Sequence, residues 1–355
     1  MAYNLDVKNN YPTLWLLSDD RAGTFSQSLA LAKALKHNYQ IIDINYNFFS
    51  KLPNFILQIN PIHFNKNAIN QLIKKTVNNN QQPQIIISAG RKSSLIAIFL
   101  KKKFKTTKLI HIMQPEINYN KFDFIILPNH DQPRYNTNNI IFSIGSLNQI
   151  NEELILKNKE KFKYFFEKIN KKIIVLLVGG NSKKNFYDDQ SIIELCQKTS
   201  EFVKQLDGHL IILNSRRTPE KINDLIKKHI NCYHDFFELS KVKDNNPYLA
   251  SIGFGNYFIA TGDSVSMISE CCSTGKNVFI FDKNNISSKK HRLFHQELYR
   301  NNYALPLEKI FEKIFEKIAD HTSQSFANII QQFPQKKLDE TNRIAQIISG
   351  KFKNL

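Results

Sequence analysis

Short apolar runs recur along this chain, each closed by a polar or glycine-bearing loop and separated from the next by a helical pattern, and this alternation constrains the fold most. In the first half the runs begin at Leu14, Tyr39, Ile85, Leu109, Phe122 and Ile140. In the second half they begin at Ile173, His209, Tyr257 and Val278. Such runs read as strands buried on both faces, as in parallel sheets whose crossover helices cover both sides. A charged helical stretch, Asn151–Asn170, joins the two sets, and residues 305–355 read as helical. The expected fold class is α/β, with two Rossmann-like domains facing a cleft and a helical C-terminal segment. The expected boundaries are 1–160 for the first domain, 161–334 for the second, and 335–355 for a C-terminal helix crossing back to the first.

The segment Tyr257–Lys276 carries the clearest chemistry. An apolar run stops at Thr261-Gly262-Asp263-Ser264, and a helical pattern then places Val265, Ile268 and Cys272 on one face. Strand, glycine turn and helix N-terminus bind anions, because the first helical N–H groups lack partners and carry the positive end of the dipole. Asp263, Ser266 and Glu270 share a second face, which puts a carboxylate within two turns of a phosphate, in reach of a ribose diol.

Two other loops of the second half fit the same purpose. Gly179-Gly180-Asn181-Ser182-Lys183 follows a strand directly, where glycines admit close backbone approach to a phosphate or simply form a tight turn. Ser215-Arg216-Arg217-Thr218-Pro219 sets two arginines beside a helix start that Thr218 can cap, with Pro219 first in the helix. Only eight of the 49 basic residues are arginine, so a paired arginine is informative in this lysine-rich chain. Together these loops read as a diphosphate site. Asn246-Pro247-Tyr248 precedes another helix, where Tyr248 serves either as a stacking ring or as a core aromatic. In the first half, Arg21, Gln27, Gly90, Arg91 and Ser93 gather on strand-end loops as a candidate acceptor side. Asp19, His130 and Asp131 are the candidate acids and bases, since activating a hydroxyl nucleophile needs a base within hydrogen-bond reach.

The bulk properties narrow the class. No apolar run approaches the roughly 20 residues needed to span a bilayer, and the first residues lack the order of a signal peptide. The four cysteines show no metal-ligand spacing and read as buried thiols of a reducing compartment. No metal site and no resident cofactor is expected. The net charge of +18 favours anionic partners, and without a nucleic-acid-binding motif an anionic membrane surface fits better. The expected location is the cytoplasm, free or peripheral on the cytoplasmic face of the inner membrane. Lys51–Ile59 places Leu52, Phe55, Ile56 and Ile59 at helical spacing, either as a membrane face or as an ordinary core-facing helix.

In order along the chain, Leu17–Gly23 with Gln27, Ser88–Ser94, Pro128–Asp131, Gly179–Lys183, Ser215–Pro219, Asn246–Tyr248 and Asp263–Glu270 with Thr274–Lys276 resemble the mitochondrial-fission "elongated mitochondria" family, bacterial members above all. The resemblance spans about Leu14 to Phe281. It departs from the family pattern at Gly262 and Cys271, where alanine is usual, and at Asn277, where proline is usual. It implies a glycosyltransferase-B-like (GT-B-like) fold distantly similar to nucleotide-sugar enzymes. It further implies that Ser264 and Ser266 contact phosphate, Glu270 the ribose, and Arg216 and Arg217 the diphosphate. A nucleotide-diphosphate-sugar would then be co-substrate, its sugar passing to a lipid-linked or envelope acceptor. A nucleotide-sugar epimerase or hydrolase on the same fold, or a non-catalytic membrane-associated scaffold, is the alternative.

Overall fold

A computed structural model describes residues 13–18, 21–58, 62–79, 81–181, 186–242, 245–319, 326–333 and 335–353. The chain forms two compact units, Met1–Gln149 with Glu340–Leu355, and Ile150–Asp339. In chain order the elements begin with β1 Leu14–Ser18, α1 Ala22–Ala34, β2 Tyr39–Asp43, a 3-10 turn Phe48–Lys51, α2 Asn54–Leu57, α3 Lys66–Asn78, β3 Ile85–Ala89 and α4 Gly90–Lys103. Then come β4 Lys108–Ile112, a second 3-10 turn Tyr119–Lys121, β5 Phe124–Pro128, β6 Ile140–Ser143, α5 Glu152–Phe166, β7 Ile173–Leu177, α6 Asp189–Gln205 and β8 His209–Leu213. The remainder is α7 Glu220–His229, β9 His234–Phe237, α8 Tyr248–Phe254, β10 Tyr257–Thr261, α9 Val265–Cys272, β11 Asn277–Phe281, α10 Lys289–Arg300, β12 Leu305–Pro306, α11 Leu307–Ala319, α12 Phe326–Gln331 and α13 Glu340–Lys353.

The first unit is a parallel sheet in the order β2-β1-β3-β4-β5-β6. Alternate residues divide cleanly between its faces. Trp15, Leu17, Ile86, Leu109 and Ile125 pack with Leu95 and Leu100 of α4. Leu14, Leu16, Ile85, Ile87 and Ile110 pack with Leu31 of α1 and Ile344 and Ile348 of α13. Each such side chain contributes about 1.5–3 kcal/mol by leaving water. The C-terminal helix α13 thus completes this unit, and Glu340 accepts the Ile144 N–H at 2.7 Å.

The second unit is also all parallel, in the order β12-β11-β10-β7-β8-β9. Strands β7, β8 and β11 are buried along their whole length. Counted within the unit, the order is 6-5-4-1-2-3, the arrangement of dinucleotide-binding sheets. Its switch point lies between β7 and β10, where the connections leave in opposite directions and open a crevice at the strand ends. The helix α5, which the expected boundary at 160 divides, belongs wholly to this unit. It packs on α8, with the Phe166 and Phe254 rings stacked at 4.7 Å.

Two strands have no counterpart in the sequence reading. β9 is half-buried at every position and forms a sheet edge, so neither an apolar run nor alternation marks it. β12 has two residues and opens the stretch read as helical. Lys51–Ile59 is not one amphipathic helix: Pro53 separates the 3-10 turn from the four-residue α2. Leu57 is buried while Ile56 is exposed. Ile59 and the Phe55 side chain lie outside the described residues.

Candidate functional site

At the switch point the loops after β7 and β10 are tied together by side chains. Gly179 N–H donates to Thr261 Oγ1 at 2.8 Å, and Gly180 N–H to Asp263 Oδ2 at 2.9 Å. The hydroxyls of Tyr187 and Thr261 both donate to Asp263 Oδ1, at 2.6 and 2.7 Å. Burial and the Asp263 charge push the Tyr187 hydroxyl well above its ordinary pKa, so it stays a donor. The Asp263 carboxylate is buried, and these contacts take up both its oxygens. In this geometry the residue read as a ligand group holds the loops, and its charge has the same sign as a phosphate.

The glycines allow that closeness. A Cβ on Gly179 would sit 2.1 Å from Asp263 Oδ2, and one on Gly180 would sit 2.3 Å from the Arg217 carbonyl carbon. Gly262 is equally confined: a Cβ there would meet Ser287 Oγ at 2.4 Å and His295 Cε1 at 2.7 Å. The polar side chains that follow β11 therefore exclude the alanine that the family pattern carries at this position.

The loop after β8 is a tight turn closed on itself. Thr218 Oγ1 accepts the Ser215 N–H at 2.9 Å and donates to Gly179 O. Ser215 Oγ accepts the Arg217 N–H at 3.1 Å. Thr218 therefore does not cap α7, whose preceding residue Pro219 makes no side-chain cap; it stitches the β8 loop to the β7 loop instead. Arg216 and Arg217 are both exposed, and neither has a carboxylate within ion-pair distance among the described residues.

Helix α9 starts two residues beyond Asp263. Ser264 caps it by accepting the Met267 N–H at 3.4 Å, and Ser266 is half-buried on its first turn. Glu270, on the next turn, accepts a short hydrogen bond from the Tyr248 hydroxyl at the start of α8. Burial pushes the Glu270 carboxyl up to about 7, against the opposing pull of that hydroxyl. Tyr248 is thus neither a free stacking ring nor a plain core aromatic. Lys276 lies at the far end of α9, where its ammonium donates to the carbonyls of Gly253 and Gly255 that end α8. Burial lowers it to about 8.

A fourth loop, after β11, completes the strand-end surface. Asp282 Oδ2 lies 3.1 Å from His295 Nδ1. Burial alone would raise the Asp282 carboxyl, but His295, Ser287 and Arg292 hold it below its ordinary value. The β7 loop joins here through Phe186 N–H, which donates to Asn285 O at 3.0 Å. Tyr187, Asp282, His291 and His295 carry no sequence signal that singles them out.

In the first unit the candidate residues are more dispersed. Arg91 donates to the backbone carbonyls of Ser50 and Leu52, fixing the segment before α2. Ser93 Oγ donates to Ala89 O at 2.7 Å, and Gly90 opens α4 with a φ of 75°. Arg21 is exposed just before α1, and Gln27 is half-buried on it. His130 and Asp131 are half-buried after β5, two strands from β3 across the sheet. Asp19, like Asp20, Ser182 and Lys183, lies outside the described residues. No group of three or more His, Cys, Asp or Glu gathers to hold a metal among the described residues.

Two parallel six-stranded sheets in one chain, the second in dinucleotide-binding order, make a GT-B-like fold. The UDP-GlcNAc 2-epimerase of Methanocaldococcus jannaschii has the same fold, with a TM-score of 0.56 over 95% of this chain and 99% of that one at 14% identity. The chain belongs to the family described as Mitochondrial fission ELM1, whose profile matches residues 22–352. An uncharacterized protein of Rickettsia prowazekii is 31% identical over 94% of this chain and 97% of its own length. The mitochondrial fission protein ELM1 of Arabidopsis thaliana is 25% identical over 56% of this chain and 51% of its own length.

Proposed function

We propose that the second unit binds the diphosphate and ribose of a nucleotide-sugar, and that the chain transfers the sugar to a lipid-linked or envelope acceptor. The observation that carries this reading is the pair of exposed, unpaired arginines, Arg216 and Arg217, on a strand-end loop whose Arg217 backbone packs against Gly180. Charge-assisted, bidentate contacts from guanidinium to phosphate are among the strong hydrogen bonds. Backbone N–H groups at the start of α9 add the positive end of a helix dipole. Glu270 takes the ribose diol, releasing the Tyr248 hydroxyl. In transfer, the bond from the sugar carbon to the diphosphate breaks with its electron pair on the diphosphate oxygen. A bond to the acceptor hydroxyl forms, and that hydroxyl's proton passes to a base, for which Asp19, His130 and Asp131 are the candidates. The arginines stabilise the leaving diphosphate without a metal.

The acceptor side is proposed to meet an anionic membrane surface. In support, Phe48 is 77% exposed, Phe49 and Ile56 are also exposed, and the Lys51 ammonium lies 5.0 Å from the Phe48 ring centre. No described helix is long and apolar enough to cross a membrane. The test is calorimetry with a panel of nucleoside diphosphates and their sugars, followed by sugar release with and without lipid extract. Binding with lipid-dependent release supports transfer. Interconversion of the sugar without an acceptor supports an epimerase. Absence of binding by every member of the panel refutes both, and flotation on anionic liposomes alone then supports a scaffold.

A further inference from the structure

The first turn of α10 breaks a local rule. It carries Lys289, Lys290 and His291 and no acid, although the dipole there favours negative charge. Of these, His291 is held in one chemical form. Ser288 caps the helix, and its own N–H donates to His291 Nδ1 at 3.3 Å, completing a capping box. A backbone N–H can only donate, so Nδ1 must accept, and the ring proton of the neutral imidazole is on Nε2. Protonating Nδ1 would set N–H against N–H. The box therefore favours the neutral ring, as does burial, which lowers its pKa. Nε2–H has no protein partner among the described residues.

The charged groups around this ring come from three strand-end loops. His295 on its own helix and Arg217 after β8 lower its affinity for a proton, while Asp263 after β10 and Asp282 after β11 raise it. Arg292, one residue on, donates to Ser287 O at 2.8 Å. Neither acid is hydrogen-bonded to Nε2–H. Asp263 accepts from Gly180, Thr261 and Tyr187, and Asp282 Oδ2 faces His295, while Asp282 Oδ1 carries no hydrogen bond among the described residues. A neutral donor is thus held within the electrostatic reach of Arg217, one turn before His295, whose ring packs against Gly262 of the β10 loop.

We propose that His291 donates its Nε2–H to a phosphate oxygen of the bound nucleotide-sugar, as a fixed neutral contact between the two arginines' charge and the helix start. This rests on the nucleotide-sugar reading of the same unit. No proton is transferred: the ring stays neutral and Nδ1 stays on Ser288.

The test is nitrogen NMR of the imidazole in the full chain, titrated with UDP-GlcNAc, whose diphosphate does not titrate near neutrality. The Gly180 amide reports whether ligand binds at all. We expect Nδ1 to remain unprotonated throughout and the Nε2–H resonance to move as the Gly180 amide moves. H291Q keeps an acceptor for the box and a donor for phosphate, so it should bind within about threefold of the native chain. H291A should lose roughly tenfold or more, the worth of one hydrogen bond to a charged partner. A Gly180 shift with an unmoved His291 ring, or equal affinity for H291A, overturns this inference and leaves the nucleotide reading standing. No shift at either residue overturns both.

Discussion

Replacing Glu270 with Gln should make the protein more stable and less able to bind nucleotide, and the size of the first effect follows from the site. The Glu270 carboxyl has a folded pKa of about 7 against an ordinary 4.5, because burial disfavours the charged form more than the Tyr248 hydroxyl favours it. The folded value is raised, so the contribution is fully present below pH 4.5 and is lost as pH climbs through 7. At about 1.4 kcal/mol per unit, the native chain gives up roughly 3 kcal/mol across that window. Glutamine keeps the shape and the acceptor for Tyr248 but carries no charge to desolvate. At pH 8, E270Q should therefore exceed the native chain by up to about 3 kcal/mol, with the gap closing towards pH 5. For a unit of this size that corresponds to about 6–12 °C in melting temperature. The assay is thermal unfolding of both proteins from pH 5 to 8, with UDP-GlcNAc titrations alongside. Glu270 in its charged form accepts hydrogen bonds from a diol, so affinity should fall at least tenfold in E270Q. Two stability curves that run parallel with pH would refute the burial argument. Unchanged affinity would retire the ribose role.

Other changes separate the frame from the ligand groups. Y187F removes a hydroxyl that holds the Asp263 carboxylate, so urea unfolding should show a loss of about 1–3 kcal/mol, and an unchanged midpoint would argue against the loop tie. G180A forces a methyl into the Arg217 backbone and should displace the β8 loop, seen as wide amide shifts from residue 214 to 218; shifts confined to residues 179–181 would contradict that contact. R216A with R217A should leave unfolding within about 0.5 kcal/mol of the native chain, since both side chains are exposed and unpaired, while weakening diphosphate binding by two orders of magnitude or more. F48S with F49S should abolish flotation on anionic liposomes without changing nucleotide affinity; retained flotation would remove this face from the account.

The sheets were legible because each buried strand is a short apolar run with a glycine or polar stop, and their crossover helices keep a 3.6-residue period. β9 escaped because His234 and Asp235 lead a half-buried edge strand that needs no apolar run. In the site, the loops were legible and the bonding within them was not. Thr218 has the residue type and position of a helix cap, yet its hydroxyl reaches a carbonyl on another loop, 39 residues away in sequence. Asp263 shares a helix face with Glu270, which suggested a ligand group. Its carboxylate accepts the hydroxyl of Tyr187, 76 residues earlier, which no local pattern connects to it. The same limit hid His291, whose form is set by a neighbour's backbone and whose surroundings come from three separate loops.

The most direct measurement is a crystal structure of the protein with UDP bound. The diphosphate should lie at the strand ends of the second unit, within hydrogen-bond distance of Arg216 or Arg217, the Gly180 backbone and the first turn of α9, with the ribose on Glu270. UDP found elsewhere on the chain, or bound with both arginines still turned to solvent and Tyr248 still on Glu270, would contradict it.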